Sequence, residues 1–342
     1  MTLRPAVIRI HRWLGLAVAA LWLFQAATGV LIVFHWEIDD ALAPGPHRPT
    51  DFRAIEQRVT PLAPGSMWST AGAADRFDVF IDGAVVRIDG AGNTLRRRRD
   101  GERFAHGGIV DTIVVLHQSL MAGDRGRWIT GTSGVLLLSN VILGIVAAWP
   151  RRGQWLRAMK PLRSGARVAK RYSWHRAAGL WIAIPSLCVV TAGVLLAFDA
   201  QIEDLLHAAQ ESPPAVTGPL NIGLAQACSI ALARFPGSAL SGVSFPKADN
   251  AMWSITLRQP GELQRAYGKT RVFISASDGH LIGEYDALKT GRTRRFLDHL
   301  FSFHTGEMAG VIGRLIVLTT GIGLVTVIVF GLALWLARRR VS

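Results

Sequence analysis

Cysteine and charge are both scarce in this 342-residue chain, and each scarcity excludes something. Its two cysteines, Cys188 and Cys228, fall in a long apolar run and in a distant polar segment. They supply neither a disulfide framework nor a CxxC metal pattern. Charged residues make up 18% of the chain, against about 25% in soluble domains. Acidic residues are missing from the long apolar runs, which argues against a transporter built on intramembrane carboxylates. Apolar residues, at 50%, are instead abundant and unevenly placed.

They collect in four blocks: Trp13 to Phe34, Trp128 to Trp149, Ala177 to Phe198 and Leu315 to Ala337. Each holds about 20 residues, the length that ~30 Å of hydrocarbon requires of a helix. Unpaired backbone groups are costly in lipid, so the blocks are expected to be transmembrane helices. The first begins after Arg4, Arg9 and Arg12 and precedes Ala41-Leu42-Ala43, as a secretory signal would. It is too long for the apolar core of such a signal, and Asp39, Asp40 and Pro44 crowd the site, so it reads as a retained helix.

The net charge of +14 reflects membrane topology rather than nucleic-acid binding. Basic residues precede the first block, fill the link between the second and third (Arg151, Arg152, Arg157, Lys160, Arg163, Arg167, Lys170, Arg171) and close the chain at Arg338, Arg339 and Arg340. Positive residues beside spans stay cytoplasmic, which places both termini and this link inside and the two long connections outside. The run Arg96 to Arg99 lies in one long connection, where charge does not set topology. It reads as a solvated edge able to attract an anionic chelate.

The sequence also matches itself. His11-Arg12-Trp13-Leu14-Gly15 overlies His175-Arg176-Ala177-Ala178-Gly179, and Thr28-Gly29-Val30-Leu31 overlies Ala192-Gly193-Val194-Leu195, at a constant offset of 164 (175 − 11). Ile38-Asp39-Asp40 meets Ile202-Glu203-Asp204 at the same offset. A second match, offset 187 (304 − 117), pairs His117 with His304, Gly126-Arg127 with Gly313-Arg314, Gly134 with Gly321 and Gly144 with Gly331. The expected fold is therefore an α-helical integral membrane protein of four transmembrane helices. It is built as two parallel helix–domain–helix repeats with small α+β outer modules.

The expected boundaries are a cytoplasmic start and first span over 1–36, a first outer module over 37–110, and a short outer helix with the second span over 111–150. A basic link follows over 151–172, then the third span over 173–198, a second and more complete outer module over 199–298, and a short helix, fourth span and basic tail over 299–342. Strands are expected at Phe77 to Ile81 and Val85 to Ile88 around the Asp82-Gly83 turn, and at Met252 to Leu257 and Arg271 to Ile274 before Ser277-Asp278-Gly279. A helix is expected from Ile222 to Phe235.

Four of the ten histidines occupy matched positions at the membrane edges. His11 and His175 begin the first and third spans, at the inner edge; His117 and His304 precede the second and fourth, at the outer edge. About 30 Å of hydrocarbon separates the levels, so the pairs must be His11/His175 and His117/His304. Two imidazoles are too few for a closed zinc site, whereas haem asks a protein only for axial ligands. Gly15 and Gly179, one turn beyond His11 and His175, would admit a flat macrocycle, or equally close helix packing. Arg12, Arg176, Arg127 and Arg314 would bind propionates or snorkel to headgroups. His47, His106, His207 and His280 read as surface or packing residues, while His35 and His299 lie near enough to the outer edge to be substitute ligands.

These motifs, together with Leu116-His117-Gln118-Ser119-Leu120, Gly126-Arg127-Trp128, Phe303-His304-Thr305-Gly306 and Gly313-Arg314 in this order, resemble the PepSY-associated transmembrane proteins. The resemblance covers nearly the whole chain and implies a bacterial inner-membrane protein with PepSY-like periplasmic modules. Some members resemble siderophore-iron reductases with b-type haem, and others are fused to a cytoplasmic flavoprotein reductase. The chain stops at Ser342, so the expected donor is a separate cytoplasmic flavoprotein or ferredoxin-type protein. On this reading two haem b groups carry electrons across the lipid bilayer to a ferric siderophore or chelate, with no nucleic-acid partner. The rival reading is a non-catalytic regulator whose modules bind a protease or envelope partner.

Overall fold

A computed structural model describes residues 3–70, 75–210, 212–263 and 267–339, so Arg340 of the basic tail lies outside the described residues. In chain order the helices and strands are α1 (Leu3–Ile32), α2 (His35–Ala41), α3 (Phe52–Val59), β1 (Ser66–Ser69), β2 (Arg76–Ile81), β3 (Ala84–Asp89), β4 (Thr94–Arg99), α4 (Gly108–Ser119) and α5 (Gly123–Ala148). They continue as α6 (Trp155–Ala158), α7 (Arg167–Ala197), α8 (Asp199–Leu205), α9 (Leu224–Arg234), β5 (Ala239–Ser244), β6 (Met252–Arg258), β7 (Thr270–Ser275), β8 (Leu281–Tyr285), α10 (Arg292–Thr305) and α11 (Gly310–Arg339). The chain divides into two compact units, one of Met1–Val33, Ile113–Ile202 and Phe303–Ser342, the other of Phe34–Thr112 and Glu203–Ser302.

The first unit is a helical bundle. Among the described residues four helices, α1, α5, α7 and the stretch ending in α11, are long and apolar enough to cross a membrane. Helix α1 packs on α5 and α11, and α7 packs on the same two. The helices begin earlier than the apolar blocks. α1 starts at Leu3 and α7 at Arg167, so His11 and His175 lie two turns inside their helices rather than at their starts. An apolar block marks contact with lipid, whereas Arg, Ala and Leu are good helix formers that carry the helix on beyond it. Arg4 donates Nη2 to the Ala147 carbonyl at 3.1 Å, and Arg171 donates Nη1 to the Ala333 carbonyl at 2.8 Å. These bonds tie the starts of α1 and α7 to the ends of α5 and α11, so Arg4 and Arg171 stand at one end of the bundle.

The second unit differs from the two separate modules that the sequence suggests. Its eight described strands form one antiparallel sheet in the order β4-β3-β2-β1-β5-β6-β7-β8. The central β1–β5 pair joins the halves in the register Ser66↔Ser244, Met67↔Val243 and Trp68↔Gly242. Gly242 is required there, because a Cβ would sit 2.3 Å from the Trp68 ring that crosses it. Helices α3 and α9 cover one face of the sheet. Ile55, Val59, Leu224, Cys228 and Ala231 close over Met67, Val79, Val243, Ile255 and Ile274. Glu56 of α3 also accepts the Ala225 backbone N–H at the start of α9, at 2.9 Å, a second tie between the halves.

Strand β4 alternates rather than presenting a uniformly solvated edge. Arg97 and Arg99 are exposed, whereas Arg96 reaches Asp39 at 2.6 Å and Arg98 pairs with Asp111. Asp39 also meets the fully buried Arg87 at 2.5 Å, and Arg87 meets Asp78 at 2.7 Å. The matched Glu203 pairs with Arg294 at 2.6 Å. Burial alone would raise the Asp39 pKa. The hydrogen bond from Arg96 and the charge of Arg87 outweigh it and hold the carboxyl below its ordinary 3.8.

A carboxylate with a depressed native pKa contributes stability that is complete above its unfolded pKa and lost as pH falls through the native value. The sheet unit is therefore expected to lose stability below about pH 4. Asp39→Ala, which strands buried guanidinium groups, is expected to cost about 3 kcal/mol at pH 7 and to flatten this acid dependence. Chemical denaturation in detergent, followed by the sheet circular dichroism signal, checks both.

Candidate functional site

The bundle brings the four matched histidines together as two facing pairs. The ring centroids of His11 and His175 lie 6.1 Å apart with their planes inclined at 48°. Those of His117 and His304 lie 6.3 Å apart at 29°. Since α1 and α7 pack on α5 and α11, the first pair reaches across the bundle interior. The second pair comes from α4 and α10, which lie outside the four apolar spans.

Each ring is held in the same way. His11 Nδ1 meets the Asn140 carbonyl at 3.0 Å and His175 Nδ1 the Val327 carbonyl at 2.9 Å. His117 Nδ1 meets the Gln25 carbonyl at 3.1 Å and His304 Nδ1 the Val189 carbonyl at 2.9 Å. A carbonyl oxygen can only accept, so Nδ1 must carry the proton, and the Nε2 lone pair of the neutral ring is left for a ligand. Thr28 adds a further acceptor for His117 Nδ1 at 3.2 Å, with its own hydroxyl proton donated back to the Phe24 and Gln25 carbonyls of α1. Burial holds His117, down to about 4, and His304 below the usual imidazole pKa; the neighbouring His304 lowers His117 further.

A glycine lies against each imidazole. A Cβ at Gly144 would stand 3.0 Å from His11 Cε1, and one at Gly331 would stand 3.2 Å from His175 Cε1. At Gly29 and Gly193 the distances to His117 and His304 Cε1 are 3.0 and 2.8 Å. These glycines and the acceptor carbonyls themselves fall at the two sequence offsets: 29 with 193 and 25 with 189 differ by 164, and 144 with 331 and 140 with 327 by 187.

The sequence pattern that defines the PepSY-associated TM region matches residues 8–338. The chain belongs to that family. No curated protein matches it.

In this PepSY-associated chain the other residues singled out from the sequence take several places. Gly15 does not touch a histidine ring; its nearest neighbour would be Asn140 Nδ2 at 3.3 Å, and Gly179 faces open space. Arg314 is buried and donates Nε and Nη2 to the Val33 carbonyl at 3.2 and 2.8 Å. Arg127 pairs with Asp199 at 3.5 Å on the surface. Arg12 lies over Trp13 and Arg176 over Tyr172, and the Arg176 Nε is buried without a partner. His35 packs against the Trp36 ring within the sheet unit, their planes inclined at 35°, and His299 offers its carbonyl to Ser302. Among the described residues no three His, Cys, Asp or Glu side chains converge, so the donors stand as pairs.

The acceptor carbonyls and the four ring-contacting glycines are what reasoning along single helices missed. The usable signal was there. Gly29 follows His11, and Gly193 follows His175, by eighteen residues, five whole helical turns, with the repeat marking both.

Gly193→Ala is expected to displace His304, because this ring is pinned at Nδ1 and cannot swing away from a Cβ at 2.8 Å. Overpacking of this kind costs about 1–3 kcal/mol. Gly179→Ala meets nothing and gains up to about 1 kcal/mol of helix propensity. Thermal melts in detergent should therefore place Gly193→Ala below the parent chain and Gly179→Ala at or above it.

Proposed function

We propose that this protein binds haem b at two levels of a membrane-spanning bundle and passes electrons through the membrane to reduce a ferric siderophore or ferric chelate. One observation carries the reading. An imidazole nitrogen sits about 2.0 Å from a first-row metal, with its ring centroid about 1.2 Å behind, so two imidazoles that held one metal between them would have centroids about 6.4 Å apart. The two pairs stand at 6.1 and 6.3 Å. With each Nδ1–H committed to a carbonyl, the fixed tautomer presents Nε2, and the carbonyl raises ligand basicity. The absence of a third donor among the described residues suits a macrocycle that fills the equatorial positions itself. Haem bound at these sites would supply one-electron chemistry, with the protein setting its orientation, burial and potential.

The bundle supports a direction as well. His11 and His175 lie at the basic end tied by Arg4 and Arg171, the end expected in the cytoplasm. On one helix the His11 level and the Gly29 level are eighteen residues apart, about 27 Å, close to the hydrocarbon thickness. The matched carbonyls, glycines and histidines support two parallel repeats about an axis along the membrane normal. A cytoplasmic flavoprotein or ferredoxin-type donor would serve the inner pair. The sheet unit would stand on the periplasmic side of a bacterial inner membrane.

Purified protein is expected to show a Soret band and a sharp α-band on dithionite reduction, with two haems per chain. His11→Ala/His175→Ala and His117→Ala/His304→Ala should each retain one. Colourless protein, or two haems surviving in either double variant, contradicts the proposal and favours the non-catalytic alternative.

A further inference from the structure

Between the two histidine levels the bundle interior is built almost wholly from small residues. Between those levels the buried positions on its long helices include Ala19, Ser133, Asn140, Ala183, Ser186 and Thr320. Trp22 is the exception: among the described residues of this unit it is the one buried aromatic, 2% exposed. It stands eleven residues beyond His11, about three turns, and seven before Gly29, about two turns. His11, Trp22 and Gly29 therefore share one face of α1. His11 meets the opposing ring of His175 from that face, and Gly29 contacts His117 on it.

The same spacing recurs on the other helices. Ser186 lies eleven residues beyond His175, Ser133 eleven before Gly144 and Thr320 eleven before Gly331. These four residues form one layer about midway through the bundle, all of them buried. Three are small hydroxyl residues and one is an indole. Its matched partner across the interior is Ser186, whose Oγ is buried without a hydrogen-bond partner. The indole is also fixed, since Nε1 donates to the Ser133 carbonyl at 3.0 Å. The chain thus breaks its own symmetry at this layer by placing one rigid π-system at a level between its two histidine pairs.

We infer that Trp22 is the bridge through which an electron crosses between the inner and outer sites. This rests on the proposed two-haem reading. In the step, a redox group held by His11 and His175 would lose one electron and one held by His117 and His304 would gain it. No bond forms or breaks and no proton moves. The electron originates in the cytoplasmic reductant. The indole couples the two levels electronically and is not itself oxidised; its hydrogen bond to Ser133 holds the ring in the path. Saturated side chains of similar volume would fill the layer without providing this coupling.

The test uses the haem-loaded full chain in lipid nanodiscs. A ruthenium photoreductant on a cysteine introduced by Arg157→Cys, in a Cys188→Ser/Cys228→Ser background, delivers one electron at the basic end. Absorbance then follows its arrival at the outer site. Trp22→Leu is expected to slow the transfer by at least about tenfold, with two haems per chain and both midpoint potentials unchanged. Trp22→Phe, which keeps a ring and the fold, should stay within about threefold of the parent. Independently of transfer, the 5-fluorotryptophan resonance of Trp22, assigned by its loss in Trp22→Phe, should be broadened by ferric haem in either single-site variant. A fully loaded Trp22→Leu protein that transfers at the parent rate overturns the bridge, as does a Trp22→Phe protein as slow as Trp22→Leu, or a fluorine signal untouched by one site. A chain that takes up no haem defeats the two-site reading itself, and the two failures are told apart by haem content alone.

Discussion

The donation of each Nδ1–H to a backbone carbonyl on a neighbouring helix is the interaction on which the rest of this architecture depends. Inside a bundle, an imidazole with neither nitrogen bonded would bear a desolvation cost, and its ring would be free to rotate. Bonding Nδ1 to the main chain removes that cost and fixes the tautomer, so the lone pair stays on Nε2. Main-chain carbonyls of an α-helix already accept one bond, but each has a second lone pair to offer. The bonds to the rings therefore ask only for main-chain carbonyls, and two of the four positions that supply them, Val189 and Val327, are apolar.

Close approach follows from the same bond. For a ring to reach a carbonyl on the next helix it must lie against that helix, which is possible where a glycine stands one turn further on. Gln25 precedes Gly29, Asn140 precedes Gly144, Val189 precedes Gly193 and Val327 precedes Gly331, each by four residues. Carbonyl and glycine thus form a single seat, used four times. The sheet unit obeys a different logic, with buried guanidinium–carboxylate contacts such as Arg87 with Asp39 and Asp78 on one face and an apolar core under α3 and α9 on the other.

Much of this was legible in the sequence, and the remainder was hidden for identifiable reasons. Uninterrupted apolar blocks announced the four long helices, and the paired offsets singled out His11, His117, His175 and His304. The strand runs around Gly83 and Gly279 also fell where alternation and turn residues indicated. The seats were less visible because they lie across helix pairs, such as α1 against α5, whereas i+4 reasoning looks along one helix and therefore pointed to Gly15 and Gly179. The joining of the two modules rests on the short pairing of Ser66–Ser69 with β5, between segments more than 170 residues apart, which no local pattern encodes. Trp22 carried no signal in the repeat because its importance lies in departing from it.

The central claim is that each pair of rings shares one iron through both Nε2 atoms. Electron paramagnetic resonance of the ferric protein tests it most directly, because the spin state reports the axial ligands. The account predicts low-spin iron throughout, in two distinguishable signals reflecting ring planes inclined at 48° and 29°, one of them vanishing with each histidine pair. High-spin ferric iron in the intact chain, or a single signal indifferent to both pairs, would contradict it.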